Sequence, residues 1–201
     1  MSMLLGLLLA PAVPQMLSEN AWLVEVRPGA RRHFRERATL RARPGKAYVV
    51  AGDKLVADRS VGAFTFVIFV SPSGKATRGW IETAALRRVA PPPPSPAGWT
   101  GDWKFEDASI AITPGKRPGH LHATGTATWG GHDPERVARG GVNVGDFESD
   151  LAPRGDRMTY SQNDDPNLCR VDMRLIGPYL LVEDNNRCGG MNVTFSGTYR
   201  R

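Results

Sequence analysis

Hydrophobic and polar positions alternate with a period of two in several short runs, the pattern of strands that bury one face. The clearest run is 169–175. Cys169, Val171, Met173 and Leu175 fall on one side of it, and Arg170, Asp172 and Arg174 on the other. The run 120–124 behaves alike, and Val193, Phe195 and Tyr199 alternate with Asn192, Thr194, Thr198 and Arg200 near the end of the chain. Strand and turn signals continue from Trp103 to the C-terminus and predict about eight strands. Upstream, strands are predicted at 46–50, 55–58 and 77–81, with a closing segment at 84–88. Residues 64–70 (FTFVIFV) are apolar on both faces, which predicts a strand buried on both sides. Gly52-Asp53-Lys54 and Pro72-Ser73-Gly74-Lys75 supply turns between these strands.

The segment Ala90-Pro91-Pro92-Pro93-Pro94-Ser95-Pro96-Ala97-Gly98 divides the chain. Consecutive prolines favour an extended polyproline II rod and cannot enter a sheet interior, so 90–98 reads as a short, stiff linker. Charge divides at the same place. Residues 1–98 hold 14 Lys and Arg against 6 Asp and Glu, and residues 99–201 hold 12 against 14. A basic front half and a slightly acidic back half suggest two modules with different partners. An apolar fraction of 41% and a charged fraction of 23% argue against disorder and against a multi-span membrane protein.

Residues 3–13 (MLLGLLLAPAV) form an uncharged apolar run of about eleven residues, about half the length of a membrane-spanning helix. Ala10-Pro11-Ala12 places small residues where a signal peptidase cuts, so 1–12 reads as a signal peptide, with cleavage as late as about residue 20. No basic residue precedes the run, and a buried N-terminal helix is the alternative. The expected location is periplasmic or secreted, with no transmembrane segment in the mature chain. Cys169 and Cys188 are the only cysteines. An even count in an oxidising compartment favours a disulfide, worth about 3 kcal/mol for a loop of this length. A metal site at these thiols lacks a CxxC pair and a nearby His.

The residues Ala47-Tyr48-Val49-Val50-Ala51-Gly52-Asp53-Lys54 followed by Gly79-Trp80-Ile81 resemble the bacterial SH3-like domain, over roughly residues 29–89. The likeness departs at Ala63-Phe64, where that family usually has Gly-Trp, and in the unusually basic leading segment. It implies a small barrel within 22–89 and a role in docking on cell-wall peptides or in targeting, with Tyr48 and Trp80 as ligand-facing aromatics. Gly101-Asp102-Trp103 and Gly197-Thr198-Tyr199-Arg200 loosely resemble the ends of closed up-and-down barrels of the lipocalin or avidin kind. The block from Cys188 to Arg201 is similar to the ending of exported bacterial proteins that also carry SH3-like domains. The expected fold is therefore all-β. An N-terminal SH3-like barrel (22–89) is joined by the proline-rich linker (90–98) to a disulfide-bonded antiparallel barrel or sandwich (99–201).

No run of residues amounts to a catalytic signature. The candidate constellations each have a plain structural reading beside a functional one. His120 and His122 share a strand face, and His132 could complete a metal site, but Thr124 and Thr126 mark that face as solvated. Asp146, Glu148 and Asp150 line one side of a strand, as a calcium site, a surface for a basic partner or an edge that discourages aggregation. Asp164-Asp165-Pro166-Asn167 and Glu183-Asp184-Asn185-Asn186 read as turns. A Ser196–His120–Asp172 triad lacks any nucleophile elbow. Eight Lys and Arg lie between Arg27 and Lys46 with one acid, Glu36. Arg31, Arg32, Arg35 and Arg37 are the centre of this arm, which is either solvated or a patch for envelope anions; an RNA-binding motif is lacking and nucleic acid is not expected.

These features lead to the expectation of a non-catalytic cell-envelope binding protein that needs no cofactor. Its SH3-like part docks on a wall component or envelope protein. Its C-terminal part binds a second target, in one version a basic peptidoglycan hydrolase that it inhibits. The rival expectations are a metal-dependent or carboxylate-based envelope hydrolase, and a structural assembly component using the two-sided strand 64–70.

Overall fold

The computed structural model describes residues 20–165 and 167–201. The signal-peptide reading of 1–12 lies outside them. The fold is all-β, built as a seven-stranded and an eight-stranded antiparallel sheet.

The N-terminal sheet comprises β1 (Trp22–Val26), β2 (Arg32–Arg35), β3 (Pro44–Val49), β4 (Lys54–Val61), β5 (Phe64–Val70), β6 (Ala76–Glu82) and β7 (Leu86–Arg88), in the order β3-β2-β6-β5-β4-β1-β7. Every strand sends a side chain into one apolar cluster, among them Val24, Phe34, Val49, Leu55, Val67, Ile81 and Leu86. A single sheet can do that only by curling round its own core. Strands β1 and β2 lie upstream of the predicted ones. The Arg27–Lys46 stretch is thus not a free arm throughout, because Arg32–Arg35 is a strand paired to both β3 and β6. Its single apolar residue, Phe34, points inward, with exposed His33 before it and half-buried Arg35 after it.

The C-terminal sheet comprises β8 (Gly101–Phe105), β9 (Ala108–Pro114), β10 (Leu121–Trp129), β11 (Asn143–Leu151), β12 (Arg157–Ser161), β13 (Arg170–Ile176), β14 (Tyr179–Asp184) and β15 (Gly197–Arg200). Its order, β11-β10-β9-β8-β15-β14-β13-β12, joins the first strand to the last and leaves a seam between β11 and β12, a nearly closed up-and-down barrel. Side chains fill the interior: Trp103, Ile110, Phe147, Met173, Phe195 and Tyr199 are all buried in one cluster. Phe147 crosses the seam to stack on Tyr160, with ring centroids 5.0 Å apart, and Gly125 makes room, since a β-carbon there would sit 2.1 Å from the Phe147 ring. Burial raises the Tyr160 pKa, and the nearby Asp146 carboxylate adds to it. Cys169 and Cys188 are bonded. The short helix α2 (Pro134–Ala138) is capped by the Asp133 carboxylate, which accepts from Glu135 N and Arg136 N.

Two local predictions need correction. The strand expected from about 192 begins only at Gly197, because the buried Asp184 carboxylate claims the preceding segment. It accepts from Thr194 Oγ1 (2.7 Å), Ser196 Oγ (2.7 Å) and Phe195 N (3.1 Å), and such side-chain bonds replace a ladder. The linker likewise ends in a helical turn, α1 (Pro96–Trp99), which Ser95 caps by accepting from Gly98 N. Pro96 at its first position suits a helix start.

The two sheets are packed against each other. Strand β5 is buried on both faces, as expected, and the structure supplies the reason. Val67 belongs to the N-terminal core, whereas Phe66, Ile68 and Val70 join Leu23 and Val56 in a cluster with Ile176, Tyr179 and Leu181 of the C-terminal sheet. Strand β14 is two-sided in the same way, with Leu180 and Val182 inside the barrel and Tyr179 and Leu181 outside. Polar contacts frame this interface: Tyr179 Oη donates to Lys54 O, Arg200 Nη1 to Val70 O (2.9 Å), and Glu106 N to Gly74 O (3.0 Å). The β13–β14 turn approaches so closely that a β-carbon on Gly177, at φ 60°, would lie 2.8 Å from Leu23. An interface available to another chain is therefore not what residues 64–70 offer; their second face is covered from within.

Candidate functional site

The outer face of β10 and β11 carries one imidazole among three carboxylates. Antiparallel register sets His122 opposite Asp150, Thr124 opposite Glu148 and Thr126 opposite Asp146. Gly145 and Phe147 turn inward, so the three carboxylates point out on one side, as the alternation predicts. His122 lies between two of them: Nδ1 is 2.9 Å from Asp150 and Nε2 is 3.2 Å from Glu148. Both ring nitrogens are thereby engaged by carboxylates. Glu148 and Asp146 remain exposed, and Asp150 is half-buried.

The three histidines are not brought together. His120 lies just before β10 with Nδ1 3.3 Å from Pro118 O, and exposed His132 pairs with Asp107. Among the described residues no group of three or more His, Cys, Asp and Glu is placed to hold a metal ion. The groups of the imagined triad are each engaged elsewhere: Ser196 bonds Asp184, Asp172 bonds Arg170 and Thr159, and His120 Nδ1 lies by Pro118 O. Burial disfavours the Asp172 carboxylate, but hydrogen bonds from Arg170 and Thr159 outweigh that and hold its pKa below the usual value.

The basic residues of the N-terminal sheet divide by environment. Arg31 lies over the Tyr48 ring at 4.7 Å, and His33 flanks the same ring at 5.6 Å. Tyr48 is 45% exposed, so this Arg–Tyr–His group forms an open cationic and aromatic surface. Arg37 is exposed. Arg35, by contrast, is half-buried, donates to Ala42 O and sits 4.0 Å from Glu82, roles that hold the 36–43 loop in place. Arg32 is half-buried as well, and its Nε has no hydrogen-bond partner among the described residues. A small cavity of about 120 Å³ lies beside Arg31, Arg32, His33, Arg35, Pro44 and Glu82. Trp80 has different neighbours: it meets Phe66 edge-on at 5.3 Å, and Arg59 lies 5.4 Å over it. Of the two predicted ligand-facing aromatics, Tyr48 is thus the open one and Trp80 borders the buried interface between the sheets.

Sequence reasoning did not find Arg59, which lies over both Phe66 and Trp80. It is exposed on β4, just past the three buried residues Leu55, Val56 and Ala57, and only its register opposite Phe66 of β5 shows what it covers. No helix among the described residues is long and apolar enough to cross a membrane. No protein-family model, curated protein or solved structure matches this chain.

Proposed function

We propose that this protein is a non-catalytic binding protein of the cell envelope, periplasmic or secreted, that works through two charged surfaces of opposite sign. The N-terminal sheet, with Arg31, Arg37 and Tyr48, docks on an anionic wall component. The acidic edge of β11, with Asp146, Glu148 and Asp150, receives a basic envelope protein, such as a peptidoglycan hydrolase whose activity it blocks. The observation that supports this best is the acidic edge itself. The barrel's interior is packed with side chains, and its polar chemistry is displayed on an outer face with two carboxylates exposed. The disulfide suits an oxidising compartment.

Purified sacculi test the first surface. The full chain should be retained at 0.1 M salt and released at 1 M, where screening shortens from about 10 Å to about 3 Å. The variant Arg31→Ser/Arg37→Ser should lose most of that retention, while Asp146→Asn/Glu148→Gln should keep it. A basic lysozyme-like muramidase tests the second surface with the opposite variant pattern. Retention that ignores salt and the arginine pair, with no muramidase binding, overturns the reading.

A further inference from the structure

The up-and-down topology brings the β9–β10 and β11–β12 turns to the barrel end where α1 enters β8. Between them and the linker lies a groove of about 810 Å³, within the usual size of a small-molecule site. It is separate from both charged surfaces described above. Its walls come from three segments: Pro94 and Pro96 at the linker's end, Lys116, Arg117 and Pro118 in the β9–β10 turn, and Pro153 after β11. We infer that this groove binds a small aromatic anion, a flat apolar ring system carrying one carboxylate or sulfonate.

Charge gives the head group. Lys116 and Arg117 are the fixed charges of the lining, which includes no Asp or Glu. Neither cation has an ion-pair partner among the described residues. Two uncompensated cations beside apolar surface favour an anion, and charge-assisted hydrogen bonds are the stronger kind. Shape and chemistry give the body. Proline rings are rigid and present C–H groups in flat faces, the surface that proline-rich segments offer to aromatic rings.

The walls are also fixed before any ligand arrives, which lowers the ordering cost of binding. Ser95 caps α1, Trp103 Nε1 donates to Trp99 O at 2.8 Å, and Arg201 Nη1 reaches Ala97 O at 3.2 Å. Across the groove, Gly115 N donates to His120 O (3.0 Å) and His120 N to Arg117 O (3.1 Å), which locks the turn. His120 thus closes this turn through its backbone.

The test uses the full chain and two ligands that differ in charge alone as far as possible, 2-naphthoate and neutral 2-naphthylmethanol. Each displaces 1-anilinonaphthalene-8-sulfonate, read by fluorescence. Wild type should bind naphthoate at least about tenfold more tightly than the alcohol, the worth of one charge-assisted contact. Lys116→Ser/Arg117→Ser changes an exposed turn and should erase that preference. Ala97→Trp fills the groove without touching its charges and should weaken both ligands about tenfold or more. Thermal melts of both variants establish that they are folded; if either is not, hydrogen exchange of wild type with naphthoate should show slowing at 94–100 and 114–120. Equal affinity for acid and alcohol, variants that bind like wild type, or protection confined to other residues overturns the inference.

Discussion

Replacing Ile68 by Ala tests whether the two sheets stand as one folding unit. Ile68 lies on the face of β5 turned away from the N-terminal core and is 6% exposed because Ile176, Tyr179 and Leu181 cover that side. If the sheets were separate bodies on a proline spacer, Ile68 would sit on an open sheet face, and truncation there changes stability by less than about 0.5 kcal/mol. Buried as it is, removal of three carbons loses their transfer energy and leaves a cavity, a cost of about 2–5 kcal/mol for Ile→Ala. The tight seating of Leu23 against Gly177 leaves little room for relaxation and favours the middle of that range or above. Urea denaturation followed by tryptophan fluorescence and by far-ultraviolet circular dichroism gives the assay. Both probes should show one shared transition shifted to lower urea. Ile68→Ala with Leu181→Ala should also depart from additivity by at least about 0.5 kcal/mol, as neighbours in one cluster do. A loss below about 0.5 kcal/mol, or two transitions of which only one moves, would refute the reasoning.

Burial pushes the Tyr179 hydroxyl up to about 12, partly offset by Arg200 and reinforced by Asp53. Between pH 10 and 12 the unfolded chain releases a proton that the folded chain keeps, so stability should fall across that window by about 3 kcal/mol. Tyr179→Phe should flatten that alkaline limb in denaturation curves taken from pH 9 to 12, while Tyr199, raised by burial and by Asp184, still contributes in the same direction. Cys188→Ser should lower stability by about 3 kcal/mol in urea and expose one free thiol to titration; an unchanged midpoint counts against the disulfide as a brace. Asp184→Ala strips three donors of their acceptor and should cost about 2–4 kcal/mol in the same assay, with Asp184→Asn restoring part of the loss.

What the amino-acid pattern revealed was whatever one strand encodes by itself. The run 169–175 shows its inward and outward sides plainly, and so does the row of Asp146, Glu148 and Asp150. The two-sided composition of 64–70 was legible as well, though not what would cover it. Information held between strands was not legible. Nothing in 120–124 says that His122 will stand opposite Asp150 and touch Glu148, because register is a property of the pair. The sequence R-H-F-R has one apolar residue, too few for a period to show, and β2 is held by partners on both sides. The alternation at 192–196 was real but misleading, because a buried carboxylate outcompetes ladder pairing there. Cation density between Arg27 and Lys46 likewise hid a division of labour between Arg35, a backbone brace, and Arg31, an open surface group.

The seam between β11 and β12 gives this barrel a preferred way to breathe. The other neighbouring strands are joined by ladders of four to nine residue pairs, or at β8–β15 by the single pair Arg200–Lys104, but this pair is held by the Phe147–Tyr160 stack and by the disulfide-anchored loop, through Gly190 N to Val144 O and Asn143 Nδ2 to Met191 O. Excursions that unzip the barrel should therefore begin there, well below the free energy of global unfolding. Amide hydrogens along the seam side of β11 should exchange before those of β13 and β14, which are paired on both flanks. The acidic edge sits on the strand that such excursions release, so a partner seated on Asp146 and Glu148 would damp the motion of the strand beneath it.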